Sequence, residues 1–455
     1  MKPIFSRLNL FDKKVLVLGL SKSGISAAKL LSKLGADVFL TEYRKESEQD
    51  FESINELKLL GINVEMGGHS EEFVENSYIA ITSPAISPKC EIMQRLKSQK
   101  IKVISEIELA YLQTGTPFIA ITGTNGKTTT TALVAHIFNE QYEALACGNY
   151  GVPPCDLLEE DLDYLVCECS SYQLEMSPTF TPQISIFTNF TPDHIDWHGG
   201  IENYFNAKAK IFKSPQNPAF VVLNANDEKV MKLADGTDGE VFYFAKDIAK
   251  NCAFIKDEVI CYKRNGVLEE IISLEDCPLI GEHNYENVMC AIIASKIIGV
   301  DNCNIKSAIM SFKVPEHRFE KFTHIDGIDF YNDSKATNPE ASIVAINAFK
   351  SEKVVLIAGG RDKNTDLGEF VDACKSHIQS LILIGEASER FTKEFLAKGF
   401  ENIIYANSLE EAVDKSIEIN PDVVLLSPAC ASFDMFSSYE ERGKVFKEYV
   451  LSRNA

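Results

Sequence analysis

The sequence predicts an α/β protein of three domains, with Rossmann-like layers at both ends and a mostly parallel sheet between them. Three observations lead there. Short β-branched runs alternate with helical patterns along almost the whole chain, the signature of parallel sheets covered by helices. The run Pro117 to Thr122 feeds a glycine-containing turn and then a helical pattern. At 455 residues the chain has room for roughly three domains of about 150 residues each. The expected bounds are 1–107, 108–315 and 316–455.

Hydrophobic residues make up 45% and charged residues 24%, as in ordinary soluble globular proteins. There is no uninterrupted apolar stretch of about 18 residues, so no membrane span is expected. Met1 to Ser6 lacks the long apolar core of a signal peptide. The formal charge of −21 comes with no basic stripe, which argues against a nucleic-acid partner. Acidity on this scale serves solubility, and a few local Lys and Arg residues can still hold a small anion. Twelve cysteines without a CxxC pair read as reduced, mostly buried thiols of a cytoplasmic protein. The closest pair, Cys167 and Cys169, is expected to alternate along a strand and so not to share a face.

In the first block, Val15 to Leu18 reads as a strand, Gly19 to Gly24 as a turn, Ile25 to Leu34 as a helix and Asp37 to Thr41 as the next strand. Gly19 and Gly24 do not make a GxGxxG fingerprint. A diphosphate at the helix N-terminus and a plain tight turn account for them equally well. In the third block, four apolar runs separated by helical segments give a second doubly wound pattern: Val354 to Ala358, Leu381 to Gly385, Ile403 to Ala406 and Val423 to Ser427. A hinge is expected near Val314 to Glu316.

The central block carries the clearest chemistry. Phe118 to Thr122 is a strand, and Lys127 onward has helical spacing. Between them lies Gly123-Thr124-Asn125-Gly126, followed by Lys127-Thr128-Thr129. Strand, glycine loop and helix is the context of a phosphate loop, so this block is expected to be a P-loop ATPase domain. The glycines let backbone N–H groups turn toward phosphate oxygens. Lys127 supplies a point charge, and Thr128 a hydroxyl for Mg²⁺. Ile121 stands where a general NTPase has its first glycine, so the loop is a short form. A Gly- and Thr-rich helix cap is the bland alternative, and Lys-Thr after Gly disfavours it.

Two apolar runs end in polar groups: Tyr164 to Glu168, and Gln183 to Thr188 leading into Asn189 to Asp196. Ligands gather past the carboxyl ends of parallel strands, so Glu168, Thr128 and His194 are expected to converge near one nucleotide. Taken singly, Glu168 reads as a salt-bridged acid and His194 as a hydrogen-bonded histidine, with His198 as a competitor. Beside a phosphate loop the metal reading is the better one.

The motif Gly123 to Thr129, the segments Glu168 to Glu175 and Asn189 to Asp196, Gly281 to Asn287 and Glu316 to Glu320 resemble the Mur ligases, in order and over nearly the whole chain. Asn332 to Asn338 and Leu426 to Phe436 resemble the branch that adds D-glutamate. The resemblance implies an ATP-dependent amide ligase of peptidoglycan precursor synthesis. It would join D-glutamate to UDP-N-acetylmuramoyl-L-alanine through an acyl phosphate. ATP and two Mg²⁺ ions are implied, with Mn²⁺ as an alternative, in a cytoplasmic monomer.

Residue by residue, the resemblance implies Lys127, His194 and Lys208 as catalytic. Gly123, Thr124, Asn125, Gly126, Lys127, Thr128, Thr129, Asn284, Asn287, Arg318, Asp333 and Lys335 would bind ATP. Thr128 and Glu168 would hold one metal and His194 another. Lys208 would serve as a carbamate, because an ammonium repels Mg²⁺ whereas a carbamate offers two anionic oxygens. Without the resemblance, Lys208 is a surface lysine and Lys210 its equal. Leu20, Ser21, Thr41, Ser83, Asn149, Ser170 and Gln173 would contact the uridine-nucleotide substrate. Thr337, Lys363, Ser432, Phe433 and Tyr439 would contact D-glutamate. Three positions depart from the family pattern. Thr41-Glu42 stands where an Asp often meets uracil, leaving Thr41 and Glu42 as alternatives; Ala85 follows Ser83-Pro84 in place of Gly; and Trp197 stands where an Arg is common. Rival readings are a folylpolyglutamate synthase, a nicotinamide dehydrogenase and a nucleotide-switch protein. The Asn332 to Asn338 motif, the phosphate loop and the set Glu168, His194 and Lys208 argue against them in turn.

Overall fold

Three sheets form where the apolar runs fall. The structure, a computed structural model, describes residues 8–47, 50–212 and 218–453, so the expectation about Met1 to Ser6 lies outside the described residues. The first sheet holds β1 (Lys14–Leu18), β2 (Asp37–Glu42), β3 (Asn63–Met66), β4 (Ile79–Thr82) and β5 (Lys102–Ser105). They are all parallel, in the order β3-β2-β1-β4-β5. The second sheet holds β6 (Phe118–Thr122), β7 (Ala144–Gly148), β8 (Tyr164–Glu168), β9 (Ile184–Phe187), β10 (Phe220–Asn224), β11 (Glu240–Phe244), β12 (Cys252–Lys256), β13 (Val259–Arg264) and β14 (Val267–Ser273). Their order is β14-β13-β12-β11-β10-β9-β6-β8-β7, and only β12 to β14 pair antiparallel.

The third sheet holds β15 (Glu320–Ile325), β16 (Ile328–Asn332), β17 (Val354–Gly359), β18 (Ile378–Ile384), β19 (Ile403–Tyr405) and β20 (Val423–Leu426). Its order is β15-β16-β20-β17-β18-β19, with β15 antiparallel to β16. The inner strands β17 and β20 are buried on both faces, as continuous apolar runs require. The β15–β16 hairpin lies outside the four-run pattern because β15 is mostly exposed and burial alternates along β16.

By packing, the chain divides into two units. One comprises Met1–Pro278 and Glu286–Phe312, the other Leu279–Tyr285 and Lys313–Ala455. In the first unit the first two sheets share one core, in which Tyr111, Phe118 and Phe180 meet edge to face at 5.2 to 6.3 Å between centroids. In the second unit, buried side chains fill both faces of the third sheet. No helix among the described residues is long and apolar enough to cross a membrane.

Two expectations are corrected. The first helix is Lys22–Lys33, capped by Ser21, so Gly24 is a helical residue and the turn is only Gly19 to Ser21. A Cβ on Gly24 would stand 2.0 Å from the Gly19 carbonyl oxygen, so helix and turn touch there backbone to backbone. Cys167 and Cys169 do share a face, with their sulfurs 3.7 Å apart. Residues two apart in extended chain point the same way, which brings the two thiols to one side.

Candidate active site

The phosphate loop leaves β6 at Thr122 and enters the helix Lys127–Phe138. Gly126 caps that helix at φ 81°, and a Cβ on it would stand 2.4 Å from Asn287 Oδ1. At Gly123, φ is 145° and a Cβ would stand 1.9 Å from Thr188 Oγ1. Only glycine suits both the conformation and the space. The segment after β9 braces the loop. Asn189 Oδ1 accepts from Asn125 N at 2.9 Å, Thr188 Oγ1 donates to Asn125 O at 2.6 Å, and Thr124 N donates to Asn189 O at 2.9 Å. Lys127 Nζ donates to Gly123 O at 3.0 Å and Thr124 O at 2.7 Å, over the mouth of the loop. Thr129 is buried in the first helical turn. Asn287 Oδ1 accepts from Thr130 Oγ1 at 3.1 Å, which places it against the loop.

Glu168, at the end of β8, is buried and bonded on both oxygens. Thr128 Oγ1 donates to Oε2 at 2.5 Å, and Asn149 Nδ2 donates to Oε1 at 2.7 Å. Hydroxyl and carboxylate are hard oxygen donors already in contact, which suits Mg²⁺. Among the described residues no three His, Cys, Asp or Glu side chains form a ready metal cage.

Lys208 is only 2% exposed, and its Nζ donates to Gly123 O at 2.6 Å. Burial first, then the neighbouring Lys127 charge, pushes its amine well below the ordinary lysine range. Lys210 instead pairs with Glu175 at 3.0 Å on the surface. His194 is half-exposed, its Nε2 3.3 Å from Asp193 Oδ2. His198 is committed elsewhere. It bonds Ser171 Oγ at 2.9 Å and stacks on Tyr172, and burial holds its pKa at about 4. Trp197, where the family pattern has an Arg, packs edge-on against Tyr172 and His198, while His194 meets the rings of Tyr172 and Tyr204.

Among the proposed uridine-nucleotide contacts, Ser21 Oγ and Ser83 Oγ meet at 2.8 Å, and Leu20 N donates to Glu42 Oε2 at 2.9 Å. Thr41 is turned inward. It is fully buried, and its hydroxyl lies 2.7 Å from Gly68 O and 2.9 Å from His69 Nδ1. Asn149 sits on Glu168 rather than with these residues. Ser170 and Gln173 form the reciprocal capping box of the helix Ser171–Glu175.

In the second unit, Asp333 follows β16. It accepts from Ser427 Oγ at 2.7 Å and Phe319 N at 3.1 Å, and burial raises its pKa to about 7. Arg318 is half-buried and contributes to the field at Asp333. Asn284 Nδ2 donates to Ile280 O at 2.8 Å. Lys335 Nζ stands 3.6 Å over the Tyr439 ring. Ser432 is buried, Thr337 half-buried, and Lys363 and Phe433 exposed. A groove of about 400 Å³ lined by Glu316, His317 and Lys447 contains none of these residues. Its walls are ion-paired surface, Lys447 bridging Glu316 and Glu320.

Sequence reasoning did not single out Thr188 and Asn189 as braces, nor Asp193 beside His194. Their signal was present in the Asn189 to Asp196 motif, but contact with the loop is visible only once β6 and β9 pair.

The Mur ligase MurD-like N-terminal domain matches residues 13–105, the Mur ligase middle domain 121–295, and the Mur ligase glutamate ligase domain 317–430. A UDP-N-acetylmuramoylalanine–D-glutamate ligase of Caldanaerobacter subterraneus subsp. tengcongensis is 40% identical over 98% of this chain and 99% of its own. One from Clostridioides difficile is 38% identical over 97% of this chain and 99% of its own. Among solved structures, the UDP-N-acetylmuramate-alanine ligase MurC of Thermotoga maritima has a TM-score of 0.60 at 20% identity, covering 97% of this chain and 100% of its own. The MurF ligase of Thermotoga maritima in complex with ADP has a TM-score of 0.60 at 15% identity, over 98% of this chain and 96% of its own. These two likenesses are of fold.

Proposed function

The chain belongs to the Mur ligases, and from that membership we propose how its residues divide one reaction. It is an ATP-dependent acid–amino-acid ligase that adds D-glutamate to UDP-N-acetylmuramoyl-L-alanine in peptidoglycan precursor synthesis. Residues 1–107 take the uridine nucleotide, 108–315 the ATP, and 316–455 the amino acid. The enzyme works in the cytoplasm as a monomer.

A carboxylate is a poor electrophile, and its approach to ATP brings anions together. The alanyl carboxylate oxygen attacks the γ-phosphorus, the bond to the β-phosphate oxygen breaks, and ADP leaves. The D-glutamate amine then attacks the acyl carbon, loses a proton, and inorganic phosphate departs. Gly123 to Thr129 cradle the phosphates with backbone N–H groups, and Lys127 leaves its loop carbonyls to meet their charge. Thr128, Glu168, His194 and a carbamate on Lys208 would hold Mg²⁺, which when bound offsets the anion repulsion. Burial favours the neutral Lys208 amine, the form that reacts with carbon dioxide. Asn284, Asn287, Arg318, Asp333 and Lys335 complete the ATP set. Glu42 rather than Thr41 takes the uracil N–H, because the Thr41 hydroxyl is spent inside the domain. Leu20, Ser21, Ser83, Asn149, Ser170 and Gln173 hold the rest of that substrate. Thr337, Lys363, Ser432, Phe433 and Tyr439 hold D-glutamate.

The single observation that carries the reading is the buried Thr128–Glu168 pair at the phosphate loop, with Lys208 on the loop's own Gly123 carbonyl. The test is phosphate release from ATP, with each co-substrate omitted in turn and in Lys208→Ala. Multiple turnover should need both co-substrates, and Lys208→Ala should be inactive yet partly restored by a small added carboxylate. Release independent of both, or full activity in unrescued Lys208→Ala, would overturn it.

A further inference from the structure

Among the described residues, Arg442 is the largest side chain that is fully buried. It lies on the helix Tyr439–Ser452, one turn after Tyr439. Its guanidinium makes three hydrogen bonds, all to neutral oxygens: Nε to Ser334 Oγ at 2.9 Å, Nη2 to Ser334 O at 2.8 Å, and Nη1 to Cys430 O at 3.2 Å. A Cβ on Gly360 would stand 3.3 Å from Nη1, so a third loop closes over the same group. Among the described residues no carboxylate forms an ion pair with it. Asp434 and Asp333, near enough to act through their fields, accept from Glu386 N and Ser427 Oγ instead. A buried cation without an anion is costly, and folded chains normally pair one or discharge it.

The three loops it touches are those that carry the D-glutamate candidates. Ser334 leads to Thr337, Cys430 leads to Ser432 and Phe433, and Gly360 leads to Lys363. Ser334 Oγ also donates to Tyr439 O at 2.8 Å, closing the circuit back to the helix. We propose that Arg442 is a positioning residue for the incoming amino acid. Its planar fork sets the Ser334, Cys430 and Gly360 loops in register, and its charge, held in no direct ion pair, gives them a positive field matched to a dicarboxylate. Lysine reproduces the charge but not the fork, so charge and register separate by substitution. The field of a charge in a low-dielectric interior reaches well beyond its hydrogen bonds.

This inference rests on the D-glutamate reading above, and the test keeps the two apart. The wild-type enzyme is first shown to need D-glutamate for multiple turnover; if it does not, the reaction reading fails by itself. Arg442→Met and Arg442→Lys are then assayed in two ways: KM for D-glutamate, and single-turnover ADP formation with ATP and UDP-N-acetylmuramoyl-L-alanine alone. Arg442→Met should raise KM for D-glutamate at least about tenfold, or about 1.4 kcal/mol, and by clearly more than any loss of ADP formation, to which Ser334 is linked through its neighbours Asp333 and Lys335. Its preference for D-glutamate over the singly charged D-glutamine should also fall, whereas Arg442→Lys should keep that preference with an intermediate KM. Unchanged KM, or KM and ADP formation impaired in parallel, would overturn the proposal. Should Arg442→Met fail to fold, Ser334→Ala applies the same two readouts, because it removes the hydroxyl shared by Arg442 and Tyr439.

Discussion

Lys208 and Lys210 lie two positions apart in one helical segment and have opposite fates. Spacing and composition make them equal, and only burial separates the lysine on Gly123 O from the one paired with Glu175. The same holds for His194 and His198, where a Ser171 hydrogen bond and a ring stack spend the second. Residue types at the site were thus legible in the chain, while the choice between near neighbours was not. Glu106 was not legible at all. It is fully buried, accepts from Cys155 N at 2.7 Å, and has its pKa raised to about 7 by burial, with Asp156 adding to the rise. The folded protein therefore binds this proton more tightly than the unfolded chain, whose glutamate titrates near 4.5. Its stability contribution is present below about pH 4.5 and is lost as pH rises to about 7, on the order of 3 kcal/mol in all. Glu106→Gln keeps an acceptor for Cys155 N and removes the titration. The Tm of the variant should gain on wild type between pH 5 and pH 8. Parallel pH dependence in the two proteins would contradict the assignment.

At the scale of elements, strands buried on both faces announced themselves as unbroken apolar runs, and β1, β6, β8, β17 and β20 fell where expected. Strands exposed along part of their length did not. The β12 to β14 meander and the β15–β16 hairpin are partly exposed, and interrupted burial gives a weaker signal than a continuous run. The helix start at Lys22 was missed because Gly24 looked like turn chemistry. It is instead the residue that lets the helix approach the Gly19 carbonyl. Gly24→Ala would force a methyl to 2.0 Å from that oxygen. The expected cost is about 1–3 kcal/mol, as for other overpacked sites. Chemical denaturation should show the loss, together with weaker binding of the uridine-nucleotide substrate through Leu20 and Ser21. An unchanged midpoint would mean that the turn yields freely.

For the whole molecule, the three-sheet plan was readable because each sheet holds continuous apolar strands that alternate with helices. The shared core of the first two sheets was not, since aromatic contacts such as Tyr111 with Phe180 join residues far apart in sequence. A charge of −21 on an enzyme of anionic substrates requires that cations be placed rather than plentiful. Lys127, Arg318 and Arg442 are such placements, each withdrawn at least partly from solvent. They serve a single claim, that the alanyl carboxylate is activated by phosphorylation. The most direct measurement follows an oxygen atom. With ¹⁸O in the alanyl carboxylate of UDP-N-acetylmuramoyl-L-alanine, turnover with ATP and D-glutamate should deliver one labelled oxygen to inorganic phosphate and form ADP. Phosphate released without label, or label carried into AMP, would contradict the acyl phosphate.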